Sequence, residues 1–133
     1  MKKAYEALAK NPANYIPLTP ISFLQRTADI YGEREAIIYG DRSYSWGQCN
    51  ERCLQMASSL TELGISKGDT VAVLAFNTPE MFEAHFFVPM TGAVLNTINT
   101  RLDAETLAYI LDFGEVKAIV VDRELLPLTQ SAL

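Results

Sequence analysis

A polar cluster near the middle of the chain holds the residues best suited to contact a ligand. Asn96, Asn99 and Arg101 stand with two threonines in the stretch NTINTR, which follows the apolar residues 93–95. The cluster is predicted to lie at the carboxyl end of a parallel strand, where open α/β sheets bind ligands. It could therefore support a substrate cleft. Alternatively, Asn and Thr hold a strand-to-helix loop by local backbone hydrogen bonds, while Arg101 pairs with a nearby carboxylate.

The single histidine of the chain, His85, lies in the helix-like stretch PEMFEAHFFV. A general base needs a partner in a cleft, and no carboxylate forms an evident motif with His85. We therefore favour core packing or a helix hydrogen bond, with a place in the lining of a ligand pocket or interface as the alternative. Glu80 and Glu83, near the start of the same helix, are expected to favour the positive end of its dipole and to do nothing else.

Two further motifs are interpreted as structural. Cys49 and Cys53 stand four apart on one helix face, which is poor geometry for a disulfide and offers too few ligands for zinc. We expect buried thiols there. Gly68-Asp69 is followed by a strand, whereas a phosphate-binding turn needs more glycines and a following helix. It is therefore expected to be a tight turn.

Composition restricts the class of protein. The chain has 133 residues, of which 49% are hydrophobic and 20% charged, as in a globular domain. A net charge of −5 without a basic stripe argues against nucleic acid. No run reaches the roughly 20 apolar residues of a membrane span, and the first residues lack the apolar core of a secretory signal. We therefore expect a cytoplasmic protein.

Periodicity and capping signals predict the elements that position these residues. Helices are expected over residues 21–31, 46–63, 79–89 and 104–113, and strands over 71–76, 94–98 and 117–121. Gly40-Asp41 indicates a β-hairpin, and Ser45 with Gln48 has the spacing of a capping box. The helix over 46–63 is expected to bury one set of side chains: Cys49, Cys53, Met56, Leu60 and Leu63.

The alternation of strands and helices predicts a parallel α/β unit with right-handed crossovers. Residues 1–20 are rich in Pro and Asn and are interpreted as an extended arm with a short helix at its start. Residues 21–133 are then a partial domain truncated at its carboxyl end, because a sheet of three parallel strands would leave edges unpaired.

Three stretches together resemble the adenylate-forming acyl-CoA synthetases. They are SYSWGQCNERCLQMASSLTELGISKGDTVAVLAFNTPEMFEAHF, PMTGAVLNTINTRLDAETLAYIL and KAIVVD. NPANYIPLTPISFLQRTA and AHFFVPMTGAVLNTINTRLD are similar to the branch that activates short- and medium-chain or aromatic acids. The resemblance implies the amino-terminal part of the large domain of an adenylate-forming enzyme.

Members of that family are implied to convert a small carboxylic acid and ATP to an acyl-adenylate, then to transfer the acyl group to coenzyme A. Magnesium is implied to neutralise phosphate charge. The family's phosphate loop and catalytic lysines have no counterpart in this sequence, so no catalytic, cofactor-binding or metal-binding residue is assigned. His85, Asn96, Asn99 and Arg101 are candidates for supporting the cleft.

Three hypotheses follow for the chain as a whole. It is a fragment of a ligase, inactive alone, whose partner is the remainder of the adenylation domain. Alternatively, it is a non-enzymatic binding module, or it is the structural half of a split enzyme.

Overall fold

The structure, a computed structural model, describes residue 11 and residues 15–133. The short helix expected at the start of the arm lies outside these described residues. The described part contains five α-helices, five strands and one 3₁₀ turn. In chain order they are α1 (Pro20–Tyr31), β1 (Glu35–Tyr39), β2 (Arg42–Ser45), α2 (Trp46–Glu62), β3 (Thr70–Leu74), α3 (Pro79–Met90), β4 (Val94–Thr97), α4 (Ala104–Phe113), β5 (Val116–Val121), the 3₁₀ turn Arg123–Leu125 and α5 (Leu126–Ala132).

Three of the strands form a parallel sheet in the order β4, β3, β5. In the centre, Val73 of β3 lies beside Thr97 of β4 on one side and Val120 of β5 on the other. β1 and β2 pair separately as an antiparallel hairpin that turns at Gly40, where φ is +57°. The predicted fold class, a partial parallel α/β sheet with flanking helices and a small hairpin, is confirmed.

Helices cover both faces of the sheet, and successive residues of β3 alternate between the two layers. Val71 and Val73 face the layer formed by α1, α2 and α3. Ala72 and Leu74 face α4 and α5. All four are buried, as expected for a central parallel strand covered on both sides.

Local capping determines where two of the helices begin. Ser45 Oγ accepts the backbone N–H of Gln48 at 3.2 Å, and Gln48 Oε1 accepts the backbone N–H of Ser45 at 2.9 Å. The predicted capping box is thus confirmed, because two donors that the helix leaves free are satisfied reciprocally. Asp103 Oδ1 likewise accepts the N–H of Thr106 at 2.7 Å, and α4 begins at the next residue, as predicted.

The buried face of α2 differs from the prediction at two positions. Met56 is 36% exposed and Leu63 is 77% exposed, so neither belongs to the core. The burial of Met56 was wrongly predicted because the next residue, Ala57, continues the buried stripe of α2 instead. α2 ends at Glu62, so Leu63 lies past the last turn of the helix. The residues that α2 does bury are Cys49, Cys53, Ala57 and Leu60.

The central strand is shorter than the predicted 71–76. β3 ends at Leu74, and Ala75 and Phe76 leave the sheet before α3 begins. This early departure opens space beside the end of β4, at the carboxyl edge of the sheet.

Candidate functional site

A groove of about 730 Å³ lies at the carboxyl edge of the sheet, between the ends of β3 and β4 and one side of α3. This is the place where open α/β sheets bind ligands. The groove is lined by Ala75, Phe76, Asn77, Met81, His85, Thr97, Ile98, Asn99, Thr100 and Arg101.

Two hydrogen bonds hold the loop after β4, one to the sheet and one within the loop itself. Ile98 is 6% exposed, and its N–H donates to the carbonyl of Val73 at 3.0 Å. Asn99 Oδ1 accepts the backbone N–H of Arg101 at 2.9 Å. This local bond is of the kind by which Asn stabilises turns. The backbone of the loop is therefore fixed at the point where it presents Arg101.

Arg101 differs from the expectation that it pairs with a carboxylate. Its side chain is exposed, and within residues 11 and 15–133 no carboxylate oxygen lies within 4.0 Å of its guanidinium. A guanidinium carries five N–H donors in a planar fork that matches carboxylate and phosphate oxygens. The groove therefore offers a positive charge suited to an anionic group.

His85 lies on the groove side of α3 and is also bonded to its own helix. Its Nδ1 is 2.9 Å from the carbonyl oxygen of Met81. Because a carbonyl only accepts, Nδ1 carries the proton in this contact, and Nε2 is the acceptor of the neutral ring. The helix hydrogen bond considered from the sequence is thus observed, and the ring is exposed at the groove rather than packed in the core.

Asn96 does not line the groove. It precedes Thr97 on β4, and its side chain faces the layer of α4. Its Nδ2 lies close to Gly114, the residue that ends α4: a Cβ atom built on this glycine would be 3.3 Å from it. Of the four candidates named from the sequence, the structure brings His85, Asn99 and Arg101 together and places Asn96 on the other face of the sheet.

An ion pair behind the groove was missed by the sequence analysis. Arg52 of α2 donates through Nε to Glu83 Oε1 at 2.5 Å and through Nη2 to Glu83 Oε2 at 2.9 Å. The Glu83 side chain is only 2% exposed. The expectation that Glu83 serves only the helix dipole is therefore wrong. A signal was available, because Glu83 stands beside Ala84 and four residues before Phe87 on the apolar face of α3.

Further contacts extend this pair to the hairpin. The Arg52 guanidinium lies 4.6 Å from the centre of the Tyr44 ring and 3.7 Å from Glu80 Oε1. Glu80 also contacts Arg42 at 3.3 Å, so the expectation that Glu80 serves only the helix dipole is wrong as well. The hydrogen bonds to Glu83 raise the pKa of Arg52 above its usual value, although burial opposes this. α2, α3 and the hairpin are thereby joined on the side of α3 that faces away from the groove.

The Glu80 carboxylate lies in the first turn of α3 and accepts hydrogen bonds there. Burial disfavours its charged form, but hydrogen bonds from its own N–H and the Thr78 hydroxyl, together with Arg42, lower the pKa of its carboxyl. Thr78 itself makes no side-chain capping bond to the helix. A carboxylate in the first turn, which the helix dipole favours, thus takes the place of a side-chain cap.

The two cysteines are free and buried, as predicted. Cys53 Sγ donates to the carbonyl of Glu83 at 3.7 Å. Its pKa is raised by the hydrogen bond with Cys49 and by burial. These thiols are part of the packing between α2 and α3.

Gly68-Asp69 forms the expected tight turn, at the opposite end of β3 from the groove. Gly68 has φ +91°. Asp69 Oδ2 accepts from the N–H and hydroxyl of Ser66 at 2.8 and 2.9 Å, and Lys117 Nζ contacts Oδ1 at 2.5 Å. The Lys117 bond, and then the two from Ser66, lower the pKa of Asp69 to about 2.

In the part of the chain that the structure covers, no group of three His, Cys, Asp or Glu side chains is arranged to hold a metal ion. Within the same residues, no helix combines the length and the apolar character needed to cross a membrane.

An open parallel α/β sheet with a polar groove at its carboxyl edge defines a class of ligand-binding unit found in many enzymes. The sequence model of the AMP-binding enzyme family matches residues 24–132, so the chain belongs to that family.

Relatives specify the branch. The chain is 53% identical over 121 residues to a peroxisomal butyrate–CoA ligase of Arabidopsis thaliana, covering 91% of this chain and 21% of the ligase. It is 50% identical over 128 residues to a peroxisomal trans-cinnamate:CoA ligase of Petunia hybrida, covering 96% and 22%. The recognised branch of short-chain and aromatic acid ligases is confirmed, and the chain spans about a fifth of the length of these relatives.

Solved structures contain the same unit within longer chains. The crystal structure of an anthranilate CoA ligase in complex with anthranoyl-AMP superimposes with a TM-score of 0.80 and 27% identity. The match covers 84% of this chain and 22% of that chain.

Proposed function

We propose that this chain is one part of an ATP-dependent acyl-CoA ligase. The whole protein would join a small carboxylic acid to coenzyme A through an acyl-adenylate, with release of AMP and pyrophosphate. The relatives support this reaction class, since the two most informative are named as ligases of butyrate and of trans-cinnamate. ATP, coenzyme A and magnesium would serve the whole protein, and none is assigned to a residue of this chain.

The groove at the carboxyl edge is the observation that carries the proposal. The acid, ATP and coenzyme A are all anionic at neutral pH, and Arg101 presents its guanidinium there without an ion-pair partner among the described residues. We propose that Arg101 attracts an anionic portion of a reactant, while Asn99 braces the loop that holds it. His85 would line the groove, and Asn96 would act only through the strand that leads into the loop.

The groove of this chain would form one wall of a cleft whose other wall comes from the rest of the ligase. Among the described residues the His85 ring hydrogen-bonds the Met81 carbonyl and no hydroxyl, thiol or carboxylate, so the groove holds no nucleophile paired with a base. The chain alone would therefore bind weakly and would not activate an acid. We expect residues 1–133 to show no carboxylate-dependent release of pyrophosphate from ATP.

A chimera tests the proposal. The matched 121 residues of the Arabidopsis butyrate–CoA ligase are replaced by the corresponding residues of this chain. We expect butyrate-dependent formation of AMP and butyryl-CoA, because the core and the groove would be supplied intact. A chimera that folds but forms no acyl-adenylate would contradict the proposal and favour the non-enzymatic binding module.

The cytoplasmic location remains a prediction. The peroxisome is the alternative, because the butyrate and cinnamate ligases are described as peroxisomal. Fluorescence microscopy of the tagged whole protein would separate the two.

A further inference from the structure

Two aromatic rings lie on the surface of α4, outside the core. Tyr109 is 65% exposed and Phe113 is 78% exposed. The rings are nearly parallel, at 17°, and their centres are 5.7 Å apart. A single apolar side chain on a surface is ordinary, whereas large rings that stand together form a patch of the kind that marks interaction sites. Tyr and Phe are also enriched where proteins contact one another.

Two carboxylates lie on the same side of α4 as the rings. An α-helix turns by about 100° per residue, so one arc of about 100° holds four residues of α4: Glu105, Tyr109, Asp112 and Phe113. All four side chains are exposed, whereas the opposite side of α4 packs in the core. These four residues form the outer face of α4, which combines two rings with two negative charges.

The chain does not neutralise the charges of this outer face. Residues 103–115, which contain α4 and both of its ends, include four acidic residues and no basic one. Within residues 11 and 15–133, no cationic group lies within 4.0 Å of the Glu105 or Asp112 carboxylate. Asp112 also lies in the last turn of α4, where the helix dipole disfavours a negative charge. A cation supplied by a partner would remove that cost.

An arginine side chain fits both parts of the outer face. Its planar guanidinium stacks on aromatic rings and donates in a fork to carboxylate oxygens. Residues three or four apart on a helix are neighbours, so Tyr109 lies between Glu105 on one side and Asp112 on the other. A guanidinium can therefore contact a ring and a carboxylate at the same time.

The spacing of the carboxylates determines the spacing of the cations. Glu105 and Asp112 are seven residues apart, which is about 10 Å along a helix axis. Two arginines three positions apart in a polyproline II segment lie on one side of it, about 9 Å apart. A short segment with two cations therefore fits the outer face better than a single ion does.

We infer that the outer face of α4 docks a basic segment of a partner protein, with two arginine side chains about 10 Å apart. Each guanidinium pairs with one carboxylate and stacks on the neighbouring ring. A second copy of this chain is a poorer partner, because its net charge is −5. The inference goes beyond the proposed function, since the acid, ATP and coenzyme A are all anionic and this face is negative.

Fluorescence anisotropy tests the inference with a defined probe, the peptide GRPPRG labelled with the uncharged dye BODIPY. The probe is titrated into residues 1–133 and into the butyrate–CoA ligase chimera. We expect saturable binding to both proteins. The same peptide with citrulline in place of both arginines should bind roughly 10-fold more weakly, because citrulline keeps the shape and removes the charge.

Matched double variants test the residues. Tyr109→Ala with Asp112→Asn removes one ring and one charge of the outer face, and we expect GRPPRG to bind about 10-fold more weakly. Phe23→Ala with Glu51→Gln removes the same chemistry from exposed positions of α1 and α2, in the other helix layer, and should leave binding unchanged. Asp112→Asn alone should not lower the denaturation midpoint, because the helix dipole disfavours the charge that it removes.

The outcomes are distinct from those of the activity test, because catalysis has no part in this readout. Weaker binding to the α4 double variant, with unchanged binding to the matched variant, supports the inference. Equal weakening in the two double variants, equal binding of the citrulline peptide, or no saturable binding to either protein overturns it. Binding to residues 1–133 that is lost in the chimera would show that the rest of the ligase covers the face. Self-association in sedimentation that Tyr109→Ala abolishes would assign the face to a second copy, and either result also overturns the inference.

Discussion

Arg52 and Glu83 are joined by two hydrogen bonds across the packed faces of α2 and α3, although 31 residues separate them in sequence. The carboxylate is almost fully buried, and the guanidinium is held against the ring of Tyr44. α3 also carries Met81 and His85, which line the groove. The Arg52–Glu83 pair therefore fixes the side of α3 that faces away from the candidate site.

Removal of the Arg52 charge should destabilise the fold. In Arg52→Met, the Glu83 carboxylate stays buried without a cation, and removal of one partner of a buried pair costs about 3 kcal/mol. Arg42→Met is the matched control, since Arg42 and Glu80 are about half exposed and such pairs contribute less than about 1 kcal/mol. Urea denaturation measures the free energy of unfolding of both variants. Equal losses of unfolding free energy in Arg52→Met and Arg42→Met would contradict the prediction that the buried pair contributes more than the exposed one.

Arg101 should affect activity more than stability. In the butyrate–CoA ligase chimera, Arg101→Ala removes the exposed cation of the groove, and a hydrogen bond to a charged group contributes about 1.5–3 kcal/mol. We therefore expect kcat/KM to fall roughly 10- to 100-fold, with an unchanged denaturation midpoint. Arg26→Ala, at an exposed position of α1 away from the groove, should leave both unchanged. A decrease of similar size in both variants would argue against a specific role for Arg101.

The pKa of Asp69 should depend on Lys117. Its folded pKa, about 2, lies below the usual 3.8. The pair therefore contributes to stability above pH 3.8, and this contribution is lost as pH falls toward 2. Lys117→Met should raise the Asp69 pKa partway, because the two bonds from Ser66 remain. Titration of the carboxyl carbon by NMR measures the change, with Asp103 as the internal reference. An unaltered Asp69 midpoint in the variant would refute the assignment to Lys117.

The buried thiols should be unreactive in the folded chain. The hydrogen bond between the two thiols raises the pKa of Cys53, as does burial, and lowers the pKa of Cys49. Both side chains are 0% exposed, so a reagent in solution reaches neither sulfur, whatever its thiolate fraction. We therefore expect no reaction with Ellman's reagent at pH 8 and two thiols titrated in denaturant. Rapid native labelling of either cysteine would show that α2 and α3 separate readily.

The sequence predicted the features that local chemistry determines. The capping box of Ser45 and Gln48, the Gly40 turn and the apolar run of β3 depend on neighbouring residues and were placed correctly. The Arg52–Glu83 pair depends on how two helices pack, which no local pattern specifies. Met56 was misplaced because helical periodicity leaves the direction of the buried stripe open by one position, and Ala57 is buried instead. Leu63 was misplaced because α2 ends one residue earlier, at Glu62.

The candidate site shows the same division. Its position at the end of β4 followed from the strand and helix order, and three of the four named side chains meet there. Asn96 was grouped with them by proximity in sequence. Strand geometry sends alternate residues to opposite faces, so the side chain of Asn96 was directed toward α4 rather than the groove.

The central position of β3 has a consequence for how the protein is made. Leu74 pairs with Val121, 47 residues later in the chain. At a synthesis rate of 5–20 residues per second, the ribosome needs about 2–9 s to deliver the second neighbour of β3 after the strand itself. During that interval one edge of the most apolar strand stays unpaired in the nascent chain. A chaperone that binds at the ribosome would cover this unpaired edge during these seconds.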